Sequence, residues 1–335
     1  MRLRARAALV LAVAAGCAPL PPPPLAPPPA PPTAVDDADL VALVPVPVEA
    51  VLAIDLVCLR GSPWARPVLA AATPEERTAR AAQRGFDEID DVDAWVVAKA
   101  PTDGTAAPAL EIFRGRFAPS RLRRAFLARH PGATEAAPAG TTVLAGDDEA
   151  LAFLTERTVA FGAPAAVRGV VEAGWRRGRS AREEPWVARV LAALDDEAGR
   201  RTSSVALEVA FQPSSDVRVE AGLALGAGGD AVERLGGRLF LDDAARAIVV
   251  ASASDKHAAA MLAQALAGGA QALKARRSVA ALGLRPVLDR LRLSARGARV
   301  VGELIVSSDD RDLVSQRMAV LAQLLNKAPA APATP

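Results

Sequence analysis

Apolar and polar positions alternate most plainly between residues 205 and 225. Val205, Leu207, Val209 and Phe211 fall on one side of an extended chain. Val217, Val219, Ala221, Leu223 and Leu225 fall on one side of another, with Arg218 and Glu220 opposed. A period of two with one polar side predicts antiparallel strands covered on one face. Further strands are predicted at 51–56, 92–99, 108–117, 141–146, 149–155, 158–162, 236–242 and 246–253. A hairpin comes next, with Leu291 and Leu293 inward, a turn at Arg296-Gly297, and a return strand from Val300 to Val306.

Helix signals lie between these strands. Thr73-Pro74-Glu75-Glu76 is a capping box with proline at the first helical position, and Gly85 is its stop. Pro119 to His130 places Leu122, Phe126 and Leu127 inward. Helices are also expected at 164–176, from Pro185 to Ala198, at 255–276 with Leu262, Leu266 and Leu273 on one side, and at 279–289. A last helix, capped by Ser307 or Ser308, carries Val314, Met318, Leu321 and Leu325 on one stripe. The reading is an α+β fold: mainly antiparallel sheet or sheets with helices packed on one face. Residues 62–71 (SPWARPVLAA) resemble 184–193 (EPWVARVLAA), which suggests a duplicated unit, 40–182 and 183–326, with a tail at 327–335.

The first 34 residues break these patterns. MRLRARAALVLAVAAGC joins three arginines to an apolar stretch, Ala7 to Ala15, far below the ~20 residues of a membrane-spanning helix. Ala14-Ala15-Gly16-Cys17 resembles the lipobox of bacterial lipoproteins, although Ala14 stands where that family usually carries leucine. The resemblance implies cleavage between Gly16 and Cys17, acylation of Cys17, and a membrane partner reached through the lipid. Ala18 is not the aspartate that marks inner-membrane retention in the family, so the resemblance implies the outer membrane, facing the periplasm. Residues 18–34, APLPPPPLAPPPAPPTA, cannot build ladders, because proline lacks the N–H donor. As polyproline II at ~3.1 Å per residue they make a spacer of roughly 40–50 Å. The body is similar in outline to exported α+β lipoproteins of high-GC Gram-negative bacteria, a likeness that implies no particular activity.

Charge narrows the partners. Of 40 lysines and arginines, Arg2, Arg4 and Arg6 leave with the leader, so the mature chain sets 37 against 38 acids. A near-neutral body has no electrostatic mandate for nucleic acid. Cys58, placed at the end of an apolar strand, has no partner once Cys17 is acylated and reads as a buried structural thiol.

Candidate chemistry is thin. Gly226-Ala227-Gly228-Gly229-Asp230-Ala231 matches a dinucleotide-binding pattern, but barely two helical turns fit before Gly236-Gly237, so it reads as a glycine-rich loop. Ser254-Asp255-Lys256-His257 reads as a helix cap rather than a nucleophile with its base. His130 and His257 are too few for zinc. Asp87 to Asp93 reads as a solvated acidic loop, and Trp175 to Arg182 as a basic linker. Trp64, Trp95, Trp175 and Trp186 read as core anchors. No catalytic residue, cofactor or metal site is assigned. The expectation is a non-catalytic envelope lipoprotein that binds or scaffolds a protein partner. One alternative is a periplasmic carrier of a lipid or other apolar ligand, which needs a deep apolar pocket. Another is an envelope hydrolase, which needs residues such as Glu111, Glu208, Glu220, His130 and His257 to converge.

Overall fold

The computed structural model describes residues 39–101, 109–174, 180–199, 204–226 and 228–317, with Val320. The leader with Gly16 and Cys17, the proline-rich spacer, most of the basic linker and the end of the last helix lie outside the described residues.

Among the described residues twelve strands form one antiparallel sheet. The first seven are β1 (Ala50–Asp55), β2 (Val92–Lys99), β3 (Leu110–Gly115), β4 (Thr134–Ala136), β5 (Thr142–Ala145), β6 (Ala150–Phe153) and β7 (Thr158–Gly162). The rest are β8 (Val205–Phe211), β9 (Arg234–Leu241), β10 (Ala245–Ser252), β11 (Arg292–Arg296) and β12 (Arg299–Val306). Their order across the sheet is β11-β12-β10-β9-β8-β1-β2-β3-β7-β6-β5-β4. The same chain order occurs twice. A strand, a helical excursion and two more strands lead to a helix and a meander whose last strand returns to the third: β7 to β3, and β12 to β10. The two runs meet where β1 pairs with β8. Residues 62–71 come after β1 whereas 184–193 precede β8, so the sequence likeness does not fall on equivalent places in this order.

Among the described residues the helices include α1 (Leu56–Gly61), α2 (Arg66–Leu69), α3 (Pro74–Arg84), α4 (Pro119–Arg129), α5 (Pro164–Gly169), α6 (Pro185–Ala198), α7 (Ser215–Leu225), α8 (Lys256–Ala275), α9 (Arg277–Ala281) and α10 (Arg285–Asp289), and residues 311–317 are helical as well. The capping box at Thr73 and Glu76 and the left-handed stop at Gly85 are both formed. Helices cover both faces of the sheet rather than one, because neighbouring strand residues feed separate cores. Val51, Val96 and Ile112 join Trp186, Val190 and Leu194 of α6 on the first face. Leu52, Trp95 and Phe113 join Leu59 of α1 and Leu122 and Phe126 of α4 on the second. Further along the second face, α8 lays Ala259 and Leu262 on Ala251 and Val300.

The second predicted strand of the 205–225 pair is a helix, α7. Helical turning at 100° per residue splits its alternating residues into two stripes, Val217, Ala221 and Leu225 on one side and Val219 and Leu223 on the other. The first stripe fits a glycine step: a Cβ on Gly269 of α8 would lie 2.8 Å from Leu225 Cδ2, and one on Gly229 2.5 Å from the Ala221 carbonyl. Asp216 in the first turn favours the positive end of the helix dipole, and Gly226 ends the helix at φ 84°. The place beside β8 is taken by β9 instead.

Candidate functional site

One cross-strand row on the first face crosses all twelve strands. Ala136, Val143, Ala152, Ala160, Ile112, Val96 and Ala53 stand on β4, β5, β6, β7, β3, β2 and β1, each opposite the next. Past the β1–β8 seam the row becomes mostly charged, Glu208, Arg238, Glu303 and Arg292, with the apolar Ile248 between Arg238 and Glu303. Charges under a helix must be paired or cost several kcal/mol each. The two beneath α6 are paired: Arg238 reaches Glu208 at 2.6 Å and Asp195 of α6 at 2.5 Å. Arg182 bridges Glu208 at 3.1 Å and Asp39 at 2.7 Å. Burial opposes the charge on Arg238, but its hydrogen bond to Asp195 and the charge of Glu208 outweigh burial and hold its pKa above the ordinary value.

This network lines an open cleft of about 630 Å³ with Asp55, Asp93, Arg114 and Trp95. Its carboxylates are committed: Asp55 caps α1 through the Cys58 N–H at 2.7 Å, and Asp93 holds Arg60 at 3.0 Å and Arg157 at 3.3 Å. Two other clefts, of about 320 and 490 Å³, also carry arginine and glutamate on their walls. The deep apolar pocket a lipid carrier needs is not among them.

The apolar surface that stands out is on α7. No residue of this eleven-residue helix is buried; Val219 is 60% and Leu223 84% exposed. Leaving a leucine side chain in water forgoes about 1.5–3 kcal/mol of burial. The two residues are four apart, so they project together from a helix that packs mainly on α8 and the 229–231 turn.

The other sequence candidates fall apart in space or take structural roles. Asp255 accepts from the Ala258 N–H at 2.8 Å and caps α8. His130 sits between Phe126 and Glu149, its Nε2 3.0 Å from the carboxylate. Glu111 pairs with Arg84, and Glu220 stands on α7. Of Glu111, Glu208, Glu220, His130 and His257, Glu208 alone lines any of the three clefts. Gly226 and Gly228 take positive φ, and the next element is a single 3-10 turn, Gly229–Ala231, in place of the helix whose N-terminus a pyrophosphate would need. Residues 87–93 are not a free acidic loop: Arg77 holds Asp87 at 2.8 Å and Asp90 at 2.5 Å. Among the described residues no group of three or more histidines, cysteines or carboxylates is placed to hold a metal. Cys58 lies in α1, not at a strand end, and burial, then Asp55 and Asp242, push its thiol pKa up, away from reactivity. Trp64 and Trp186 are buried, and Trp95 stacks on Phe113; Trp175 lies outside the described residues. Among the described residues, no helix is long and apolar enough to cross a membrane.

The sequence pattern missed the outward stripe because alternation there reads as a strand. The signals that point to a helix were present: Pro213-Ser214-Ser215-Asp216 as a start and Gly226 as a stop.

No family model matches the chain, and no curated protein matches it. Among solved structures it is similar to three crystal forms of TP0453. Form III is 9% identical with a TM-score of 0.45, covering 86% of this chain and 99% of that one. Form I is 10% identical with a TM-score of 0.42, covering 86% and 98%. Form IV is 8% identical with a TM-score of 0.40, covering 84% and 96%. Likeness of this size carries nothing about binding or activity.

Proposed function

We propose that this chain is an exported, lipid-anchored, non-catalytic module that docks a protein of the cell envelope through the outward stripe of α7. The anchor is Cys17, acylated after cleavage at Gly16, with Ala18 directing it to the outer membrane and the proline-rich spacer holding the body away from the bilayer, toward the periplasm. The observation that carries the docking surface is Leu223, 84% exposed beside Val219 on a helix with no buried residue. A pair of apolar residues four apart fits the helix-in-groove mode, in which a partner supplies an apolar groove. The polar residues of α7 favour a protein over a lipid surface. Asp216 and Glu220 outnumber Arg218, whereas helices that lie on bilayers are rich in lysine and arginine.

Two measurements test this. Cys17→Ser moves the protein from the membrane pellet to the soluble periplasmic fraction; persistence in the pellet overturns the anchor. A photo-crosslinker at position 223 in intact cells yields a discrete adduct that disappears with Val219→Glu, while one at exposed Glu156 does not. Since both sites face solvent, stability stays within about 0.5 kcal/mol of wild type by melting temperature. Stripe-dependent binding to protein-free vesicles, or equal adducts from both positions, overturns the protein-docking reading.

A further inference from the structure

The row that turns charged on the first face ends at β11, the outermost strand, which among the described residues pairs with β12 alone. An edge strand presents unpaired main-chain groups that another chain can complete. The register says which ones. Arg296 and Arg299 close a two-residue turn at Gly297-Ala298, so they form a hydrogen-bonded pair, and alternation makes Leu293↔Gly302 and Ala295↔Val300 non-bonded pairs. The N–H and C=O groups of Leu293 and Ala295 therefore point away from the sheet.

The same strand displays Arg292, Ser294 and Arg296 toward the first face. Helix α6 packs on β8, β9 and β10 and ends at Ala198, and its last turn meets the β11–β12 hairpin through ion pairs, Glu197 with Arg296 and Asp196 with Arg299. Beside its end opens a recess of about 490 Å³ lined by Ile248 and Val301, in which Arg246, Arg292 and Arg296 share the charged walls with Asp196, Glu197 and Glu303. Arg246 is held by Glu303 at 2.7 Å and Arg296 by Glu197 at 2.8 Å. Arg292 has neither a hydrogen bond nor an ion pair among the described residues, and it is exposed. Residues 290–299 carry Arg290, Arg292, Arg296 and Arg299 and no acid.

We infer that β11 is an acceptor edge for an extended acidic segment of another protein, which adds as a thirteenth strand and lays alternate carboxylates over Arg292 and Arg296. Main-chain hydrogen bonds supply the affinity and the arginines the choice of partner. A second copy of this chain is the wrong occupant: an antiparallel β11–β11 pair centred on Ser294 sets Arg292 against Arg296 of the copy, like charges directly opposite.

The probe is a synthetic peptide alternating glutamate with valine and threonine, titrated against the full mature chain with fluorescence anisotropy, beside its lysine-for-glutamate counterpart and inorganic polyphosphate. The acidic peptide binds, the lysine peptide does not, and added salt weakens the complex. Ala295→Pro removes one outward N–H where proline is tolerated at a sheet edge, and weakens peptide binding about tenfold, the equivalent of one hydrogen bond and its alignment. Arg292→Glu with Arg296→Glu, both at exposed positions, reverses the preference to the lysine peptide and serves if the proline variant does not fold. No binding of the acidic peptide overturns the inference. So does binding unchanged by Ala295→Pro and matched by polyphosphate, which marks a polyanion patch instead of a strand acceptor.

Discussion

At the scale of single residues, Glu88 shows how a charge inside this fold is tolerated and what it costs. Its carboxylate lies 3.0 Å from Arg84 Nε, and Arg84 also reaches Glu111 at 2.6 Å and lies over the Phe113 ring. Burial pushes the Glu88 pKa up; Arg84 draws it back, and Glu111 and Asp87 push it up again, leaving it above the ordinary value. A carboxyl whose pKa is higher in the folded than in the unfolded chain binds its proton more readily when folded. Its favourable contribution is complete below the unfolded pKa and fades as pH rises through the folded one. Glu88→Gln removes that titration and leaves Arg84 paired with Glu111. Urea unfolding measured from pH 4 to 8 should therefore show a stability difference, variant minus wild type, that rises with pH. A difference that falls over that range means Arg84 outweighs burial at this site.

At the scale of elements, the charged half of the twelve-strand row works as a clamp between α6 and the sheet. Side chains of Arg238 and Glu208 are only 10% and 13% exposed, and α6 contributes Asp195 from above. Arg238→Met leaves a largely buried glutamate without its closest partner, which typically costs about 3–5 kcal/mol; since Arg182 still reaches Glu208, the lower end, about 3 kcal/mol, is expected. Adding Glu208→Leu should return stability to within about 1 kcal/mol of wild type, because apolar replacements of a buried pair are close to neutral. Chemical denaturation of the two singles and the double decides it: a double variant as unstable as the sum of the singles would mean packing, not the ion pair, holds this place. These elements differed in how far sequence exposed them. The Thr73 capping box, the strands at 92–99 and 246–253 and the hairpin at 291–306 were legible because their local pattern and their tertiary place agree. Helix α7 was not. Its alternation fits a strand and a helix with two opposite apolar stripes equally, and the deciding contact, Leu225 against Gly269, is 44 positions away in the chain. The Arg238 network was invisible for the same reason: register, not spacing, brings Asp39, Arg182, Asp195, Glu208 and Arg238 together.

At the scale of the whole molecule, pattern and composition pointed to an antiparallel α+β chain of two similar runs but could not say whether the runs share a sheet. They do, and the join is more than an abutment. Five residue pairs zip β1 to β8, from Ala50↔Phe211 to Ile54↔Leu207. The first-face core draws Val51 and Val96 from one run, Phe240, Ile248 and Val250 from the other, and Trp186 between them. On the second face Trp64 Nε1 donates to the Asp242 carbonyl at 3.1 Å, and buried Ser315 donates to the Trp64 carbonyl at 3.1 Å. Separating residues 40–182 from 183–326 would bare the edges of β1 and β8, both central strands, together with the apolar side chains that now face each other across the seam. Long apolar edges of that kind associate with other chains. The body should therefore unfold in one calorimetric transition despite its two-fold order, and each half expressed alone should aggregate, with soluble material recovered when the halves are produced together. Two resolved transitions, or a soluble and cooperatively folding 40–182 fragment, would show that each run closes its own core and that the seam is a docked contact between independent units.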